Sequence, residues 1–304
     1  MDRRLHPSPW IPVNPRPSPP VLQKSPRQFS LILAGGLARG AAHLGAWRAL
    51  SEAELLPERV VGVSIGAIIG GWLCKEGGTR EALVELRGVA HALQNEVAAN
   101  GMYFWDTWRL ISLEQRRAFV EGRLGLRGFA FRDLPLPLYV AATRVVPPGR
   151  VVFGDHPTGS VTEAILASTA VVSHPPVRLG NSYYVDGGLS GNLPVTEAVK
   201  RGGRVILAVD LGPAPWRRGG KVGEAVGRLC RGMHRLTAHR EIEYSRAQGV
   251  TVLQVRSPEI ESHGVFAFER LDMIEEEGYK ATHRVLPALQ RALSHLGDGD
   301  APKS

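Results

Sequence analysis

Apolar positions in this chain fall into short blocks of two alternating kinds. Phe29-Ser-Leu-Ile-Leu-Ala34, Val60 to Val63, Leu136 to Thr143, Val151 to Phe153, Arg204 to Val209 and Val250 to Val255 are brief apolar runs bounded by turn residues, the pattern of buried strands. Between them the spacing changes to that of helices. Thr79 to Ala99 places Leu83, Leu86, Ala90, Leu93 and Val97 on one face, and Ala41 to Glu54, Leu113 to Leu124, Val161 to Ser168, Lys221 to Arg246 and Phe268 to Leu296 read the same way. Val177 to Val185 is two short runs around Gly180-Asn181, a hairpin signal, and Asn192-Leu-Pro194 opens a further helix with proline in its first turn. Strand and helix alternate from residue 29 to residue 296 without a linker. This predicts one α/β domain, a three-layer α/β/α arrangement with a central, mostly parallel sheet. Residues 1–28, with eight prolines, are expected to be a disordered basic tail, and residues 297–304 a polar tail.

Composition narrows the choice of partners. The formal charge is +8, but residues 1–28 hold five of the 37 basic groups and one acid, so the body is only mildly basic. A mild excess favours anionic surfaces such as phospholipid without requiring nucleic acid. Aromatic residues make up 7 %, with no basic–aromatic interleaving and no zinc spacing, so no nucleic-acid partner, metal or cofactor is expected. Cys74 and Cys230 are too few for a disulfide framework. No run reaches the ~18 apolar residues of a membrane span, and the N-terminal arginines lack a following apolar segment. A cytoplasmic location is expected, with peripheral contact to anionic membrane as an option. The helix from 221 to 246 is the candidate surface, since Leu229, Met233 and Leu236 recur on one face of a basic helix; a solvated face is the plainer reading.

Three glycine-containing blocks carry candidate chemistry. Gly62-Val-Ser-Ile-Gly66 follows a strand and precedes an apolar helix, the context of a nucleophile elbow that exposes Ser64 on a tight turn. Gly35-Gly-Leu-Ala-Arg-Gly40 lies between the first strand and first helix, where unpaired N–H groups and the helix dipole attract an anion or an oxyanion. It is neither a Walker loop nor a dinucleotide fingerprint. Asp186-Gly187-Gly188 follows the hairpin and alone would read as a turn.

These blocks, in this order, resemble the patatin-like phospholipases, and the likeness extends over most of residues 29–295. Arg39-Gly-Ala-Ala-His-Leu-Gly45 is similar to the family's first helix, Ala167-Ser-Thr-Ala170 and Pro175-Pro176 to its segment before the aspartate, and Phe268 through Tyr279 to its C-terminal helix. The resemblance implies a patatin-like fold and hydrolysis of a lipid or other acyl ester through an acyl-enzyme. Ser64 would be the nucleophile and Asp186 the base; the N–H groups of Gly35, Gly36 and Leu37 would receive the oxyanion. Arg39, Gly40, Gly62, Gly66, Gly187 and Gly188 would support the motifs. The sequence departs from the family pattern at Leu37 (third glycine of the loop), at Arg144 (usually acidic), and at Val172 and Ser173-His174, the last three expected on pocket walls. Arg39 reads either as a ligand for a headgroup phosphate or as a structural hydrogen-bond donor, and His43 as structural. Two alternatives stay open: an α/β-hydrolase triad drawing on His263 or His283, and a non-catalytic lipid-binding protein, for which Leu37 is the supporting feature. The aromatic patch Gly101 to Trp105 with Trp108 reads as core or as an acyl-chain wall.

Overall fold

The computed structural model describes residues 29–99, 112–171, 174–213 and 220–299. Residues 1–28 and 300–304, the aromatic patch, Val172 and Ser173 therefore lie outside the described residues, and 297–299, expected in the polar tail, instead end the last helix. An eight-stranded sheet forms the middle layer: β1 (Ser30–Leu33), β2 (Arg59–Val63), β3 (Leu138–Arg144), β4 (Gly149–Phe153), β5 (Val177–Leu179), β6 (Ser182–Val185), β7 (Val205–Val209) and β8 (Thr251–Val255). Its order is β5-β6-β3-β2-β1-β7-β8, with β4 pairing β3. The pairs β1–β2, β1–β7, β2–β3 and β7–β8 are parallel, whereas β3–β4, β3–β6 and β5–β6 are antiparallel. The centre is the driest part, since β1 and β7 are buried at every position. Strands covered on both faces read as continuous apolar runs, which is why the sequence pattern located them.

The helices are α1 (Ala41–Glu52), α2 (Ile65–Lys75), α3 (Arg80–Ala99), α4 (Leu113–Ala118), α5 (Val161–Ser168), α6 (Val195–Lys200), α7 (Gly220–Ala247), α8 (Pro258–Ser262) and α9 (Leu271–Gly299). The expected helix 113–124 is α-helical only to Ala118 and continues as a wider π turn over Phe119–Arg123. Nine of the eleven residues of α2 are buried, as expected of a helix apolar on every side.

Strand β3 is the key to the site. Residues 140–144 pair with β4 along one edge, so β2, at 138–141, and β6, at 143–144, succeed each other along the other edge. The residue after β2 is Ser64 and the residue after β6 is Asp186. Two segments more than 120 positions apart thereby end side by side.

Candidate active site

Ser64 caps α2 with φ 54° and ψ −120°. A non-glycine residue there costs roughly 1–3 kcal/mol, and the surroundings must hold it in place. Its N–H donates to Ser168 Oγ at 2.8 Å, and Ser168 Oγ donates in turn to the Ala141 carbonyl at 2.7 Å. One buried hydroxyl thus ties the elbow to β3. The flanking glycines permit the tight approach: a Cβ on Gly66 would stand 2.1 Å from the Leu33 carbonyl oxygen, and one on Gly62 2.5 Å from the Gly66 carbonyl oxygen. No other residue fits either contact.

Asp186 is held by its backbone. Its N–H donates to the Ala170 carbonyl at 2.8 Å, and its own carbonyl accepts from Thr143 Oγ1 at 2.9 Å. Oδ1 accepts the Gly188 N–H at 2.8 Å, whereas Oδ2 is buried with no hydrogen-bond partner among the described residues. Burial raises the carboxyl pKa from 3.8 to about 6; the nearby Ser64 hydroxyl and the Gly188 N–H pull it back only in part. The Ser64 hydroxyl therefore acts on the carboxyl without closing a bond of normal geometry onto Oδ2. Gly187 lies against β3, where a Cβ would meet the Ala141 carbonyl oxygen at 2.2 Å, and Gly188 serves as the N–H donor to Asp186.

The glycine-rich loop needs one correction. The Gly35 N–H, expected to face an oxyanion, donates to Asn192 Oδ1 at 2.9 Å and is therefore already committed. The Gly36 and Leu37 N–H groups make no hydrogen bond among the described residues. Leu37 has φ 51°, so a branched side chain occupies the left-handed region that a glycine would fill without strain. Gly40 packs directly on Ile65, the residue after Ser64. Arg39 resolves to the structural reading: it is buried and Nη1 donates to the Leu211 carbonyl at 2.7 Å. Burial lowers its pKa to about 10, against the opposing pull of Asp210 and Glu261. His43 is likewise structural. It is fully buried, its Nε2 lies 2.7 Å from the Ala34 carbonyl at the start of the loop, and burial lowers its pKa to about 4, so it stays neutral and donates.

An apolar cavity of about 320 Å³ begins beside this site. Leu37 and Ile65 are among its lining residues, with Ile68, Ile69, Leu86, Val120 and Leu124. This is within the usual range for a small-molecule pocket. Arg144 and His174, expected on its walls, do not line it: Arg144 Nε donates to the Pro147 carbonyl at 3.0 Å, and His174 is buried with its N–H on the Val171 carbonyl at 2.7 Å. His263 Nε2 contacts Glu277 Oε2 at 2.9 Å and His283 stacks near Tyr279; neither bonds to Ser64 or Asp186. Neither of the two histidines offered for a triad is therefore joined to the serine or the aspartate in this structure.

Sequence reasoning missed Asn192, Ser168 and Thr143. Ser168 lay within a segment already noted, but its partner is 104 positions away, and Asn192 reads locally as a helix opener.

The site thus brings together a strained serine turn on a mostly parallel sheet, a buried carboxyl and two loop N–H groups that make no hydrogen bond among the described residues. Residues 31–199 match the family model described as patatin-like phospholipase. The lysophospholipase NTE1 of Mycosarcoma maydis is 28 % identical over 284 residues, covering 85 % of this chain and 15 % of that protein. Its counterpart from Kluyveromyces lactis is 26 % identical over 289 residues, covering 88 % of this chain and 20 % of that protein. The chain thus spans a fifth or less of the length of these curated relatives. Among solved structures, human GIVD cytosolic phospholipase A2 superimposes with a TM-score of 0.48 at 14 % identity, covering 90 % of this chain and 60 % of that one. VipD from Legionella pneumophila gives 0.46 at 13 %, covering 95 % and 72 %. The chain belongs to the patatin-like phospholipase family.

Proposed function

We propose that Ser64 and Asp186 form the catalytic dyad and that the substrate is a lysophospholipid or a similar single-chain acyl ester. The observation that carries this reading is the pairing of a strained Ser64 at φ 54° with a buried Asp186 Oδ2 that has no hydrogen-bond partner among the described residues. Oδ2 accepts the serine proton as Oγ attacks the ester carbonyl. The oxyanion forms opposite the Gly36 and Leu37 N–H groups, each worth roughly 3 kcal/mol of barrier. Asp186 then returns the proton to the leaving alkoxide. Water, deprotonated by the same carboxylate, releases the acid and restores Ser64. Serine is a far weaker acid than the carboxyl, so raising Asp186 to about 6 narrows the gap without closing it. Oxyanion stabilisation must supply most of the remainder. Gly35 is assigned a positioning role through Asn192.

The acyl chain is assigned to the cavity beyond Leu37 and Ile65. The NTE1 relatives, named lysophospholipases, support the choice of a one-chain substrate. Among the described residues no helix is long and apolar enough to cross a membrane. Access to lipid is assigned to α7, which buries Ala238, Ile242 and Ser245 but leaves Leu229, Met233 and Leu236 at 64 %, 60 % and 49 % exposure beside Arg228, Arg231 and Arg235. A cytoplasmic protein that meets anionic membrane from the side is the corresponding location, with neither nucleic acid nor cofactor involved.

The test is fluorophosphonate labelling of the wild type, followed by peptide mapping. Ser64 should carry the label, Ser64→Ala should lose both label and hydrolysis of lysophosphatidylcholine, and the fold should survive. Residual turnover within tenfold of wild type would remove Ser64 from the mechanism. A wild type that takes no label would favour the non-catalytic alternative.

A further inference from the structure

Arg116, on α4, is 4 % exposed and lines the apolar cavity alongside Phe119, Val120 and Leu166. Its only hydrogen bond among the described residues runs from Nη1 to the Thr169 carbonyl at 3.5 Å, the outer limit of such a contact, and that carbonyl already accepts the Val171 N–H at 2.9 Å. Nε is buried without a partner among the described residues. No carboxylate of the described residues pairs with it. The other basic side chains on this cavity have carboxylate partners: Arg87 has Glu275 at 2.8 Å and His91 has Asp272 at 3.1 Å. Arg150, half hidden elsewhere, has Glu241. Burial alone acts on the Arg116 guanidinium and lowers its pKa, with no acid opposing. A buried guanidinium without a counter-charge is costly unless an anion arrives.

Its place in the site says which anion. Thr169 follows Ser168, which holds the Ser64 N–H, and precedes Ala170, whose carbonyl holds the Asp186 N–H. Arg116 thus reaches the segment that anchors the backbone of both dyad residues but bonds to neither of them. A fatty-acid carboxylate formed in the reaction remains at Ser64 itself. A phosphodiester, joined to the scissile ester through a three-carbon glycerol, reaches past it. We infer that Arg116 is an anion subsite of this cavity and receives the phosphate of a glycerophospholipid through its planar fork. The inference rests on reading Ser64 as the nucleophile of a lipid acyl hydrolase.

Binding of non-hydrolysable ligands to the full chain, measured by calorimetry below micellar concentrations, tests this without any need for turnover. The wild type should bind 1-O-hexadecyl-glycero-3-phosphocholine about 30- to 100-fold more tightly than 1-O-hexadecylglycerol. Arg116→Gln should erase that difference while changing the affinity for hexadecylglycerol and for palmitate by less than about threefold; Arg116→Lys should restore part of it. Its melting temperature should hold or rise, since a buried unpaired charge is removed. Equal wild-type affinities for the two ethers overturn the inference, and this comparison stands even if the variant does not fold. A uniform loss across all three ligands in Arg116→Gln means a structural role, and a loss confined to palmitate assigns the guanidinium to the product carboxylate; either overturns it. Failure of fluorophosphonate labelling at Ser64 would instead strike the catalytic reading and leave the binding result to stand by itself.

Discussion

Asn192 grips Gly35 by both ends of its carboxamide: Nδ2 donates to the Gly35 carbonyl at 2.8 Å while Oδ1 accepts the Gly35 N–H at 2.9 Å. The clamp joins the loop after β1 to the segment after Asp186, 157 positions downstream. It fixes the loop at one peptide, while the next two N–H groups make no hydrogen bond among the described residues.

Asn192→Ala should therefore slow acylation by about 10- to 100-fold, ~1.4–2.7 kcal/mol of barrier, through misplacement of the Gly36 and Leu37 donors. The rate of fluorophosphonate labelling of Ser64 should fall by the same factor, with KM for a long-chain ester little changed. Unaltered labelling would show that the loop holds its shape without the clamp.

Asp186 must be ionised to accept a proton, and its pKa of about 6 sets the pH dependence. Activity should rise tenfold per pH unit below 6, level off above about pH 7, and show no second ionisation from a histidine. A profile half-maximal near pH 4 would contradict the burial of this carboxyl.

The same shift has a stability consequence of defined sign. The folded carboxyl, at about 6, holds its proton more tightly than the unfolded one at 3.8. The stabilisation is complete below pH 3.8 and is lost as pH rises through 6, roughly 3 kcal/mol in all. Asp186→Asn should therefore be inactive yet more stable than wild type at pH 8, by up to about 3 kcal/mol, and match it below pH 4. Neutral buried His43, at about 4, works in the opposite direction over much of this range. The measurement is thus the difference between variant and wild type in denaturant melts, not either curve alone.

Leu37 combines two properties that pull apart under substitution. It sits at φ 51°, where leucine is strained, and it lines the cavity. Leu37→Gly should keep or raise kcat on a short p-nitrophenyl ester by about three- to tenfold, ~1 kcal/mol of barrier, as the loop relaxes. KM for a long-chain ester should rise as cavity wall is removed. A lower kcat on the short ester would show that the strained leucine is needed for the geometry of the loop.

Ser168→Ala would orphan the Ser64 N–H and the Ala141 carbonyl together, both buried. The expected loss is about 2 kcal/mol of stability, a fall in melting temperature of roughly 4–8 °C for a chain of this size. Labelling of Ser64 should slow as well, because its turn is no longer anchored to β3. Full retention of both would mean that α2 alone holds the elbow.

The exposed stripe on α7 has a direct test in vesicle sedimentation. Replacing Met233 and Leu236 by serine should weaken binding to phosphatidylserine-containing vesicles by about tenfold and leave hydrolysis of a soluble short ester unchanged. Equal binding of variant and wild type would take α7 off the membrane.

The alternation of apolar runs located the strands because the central ones are buried on both faces, and a residue's burial leaves its mark in its own identity. The three motif blocks were legible for the same local reason: the approach of Gly66 to Leu33 and of Gly62 to the Gly66 carbonyl admit only glycine, so the spacing that frames Ser64 is written at those positions. What the sequence could not carry are relations between distant positions. Nothing near Asn192 announces Gly35, nothing near Ser168 announces Ser64, and Arg116 looks like any cation on an amphipathic helix. Only the sheet order decided these. By running β6 onto the edge of β3 that β2 vacates, the tertiary structure brought Asp186 to Ser64, committed the Gly35 N–H to Asn192, and buried one arginine that has no acid partner among the described residues. Each is a consequence of where two surfaces meet, and hydrogen bonds and desolvation act on the pair, never on one position alone.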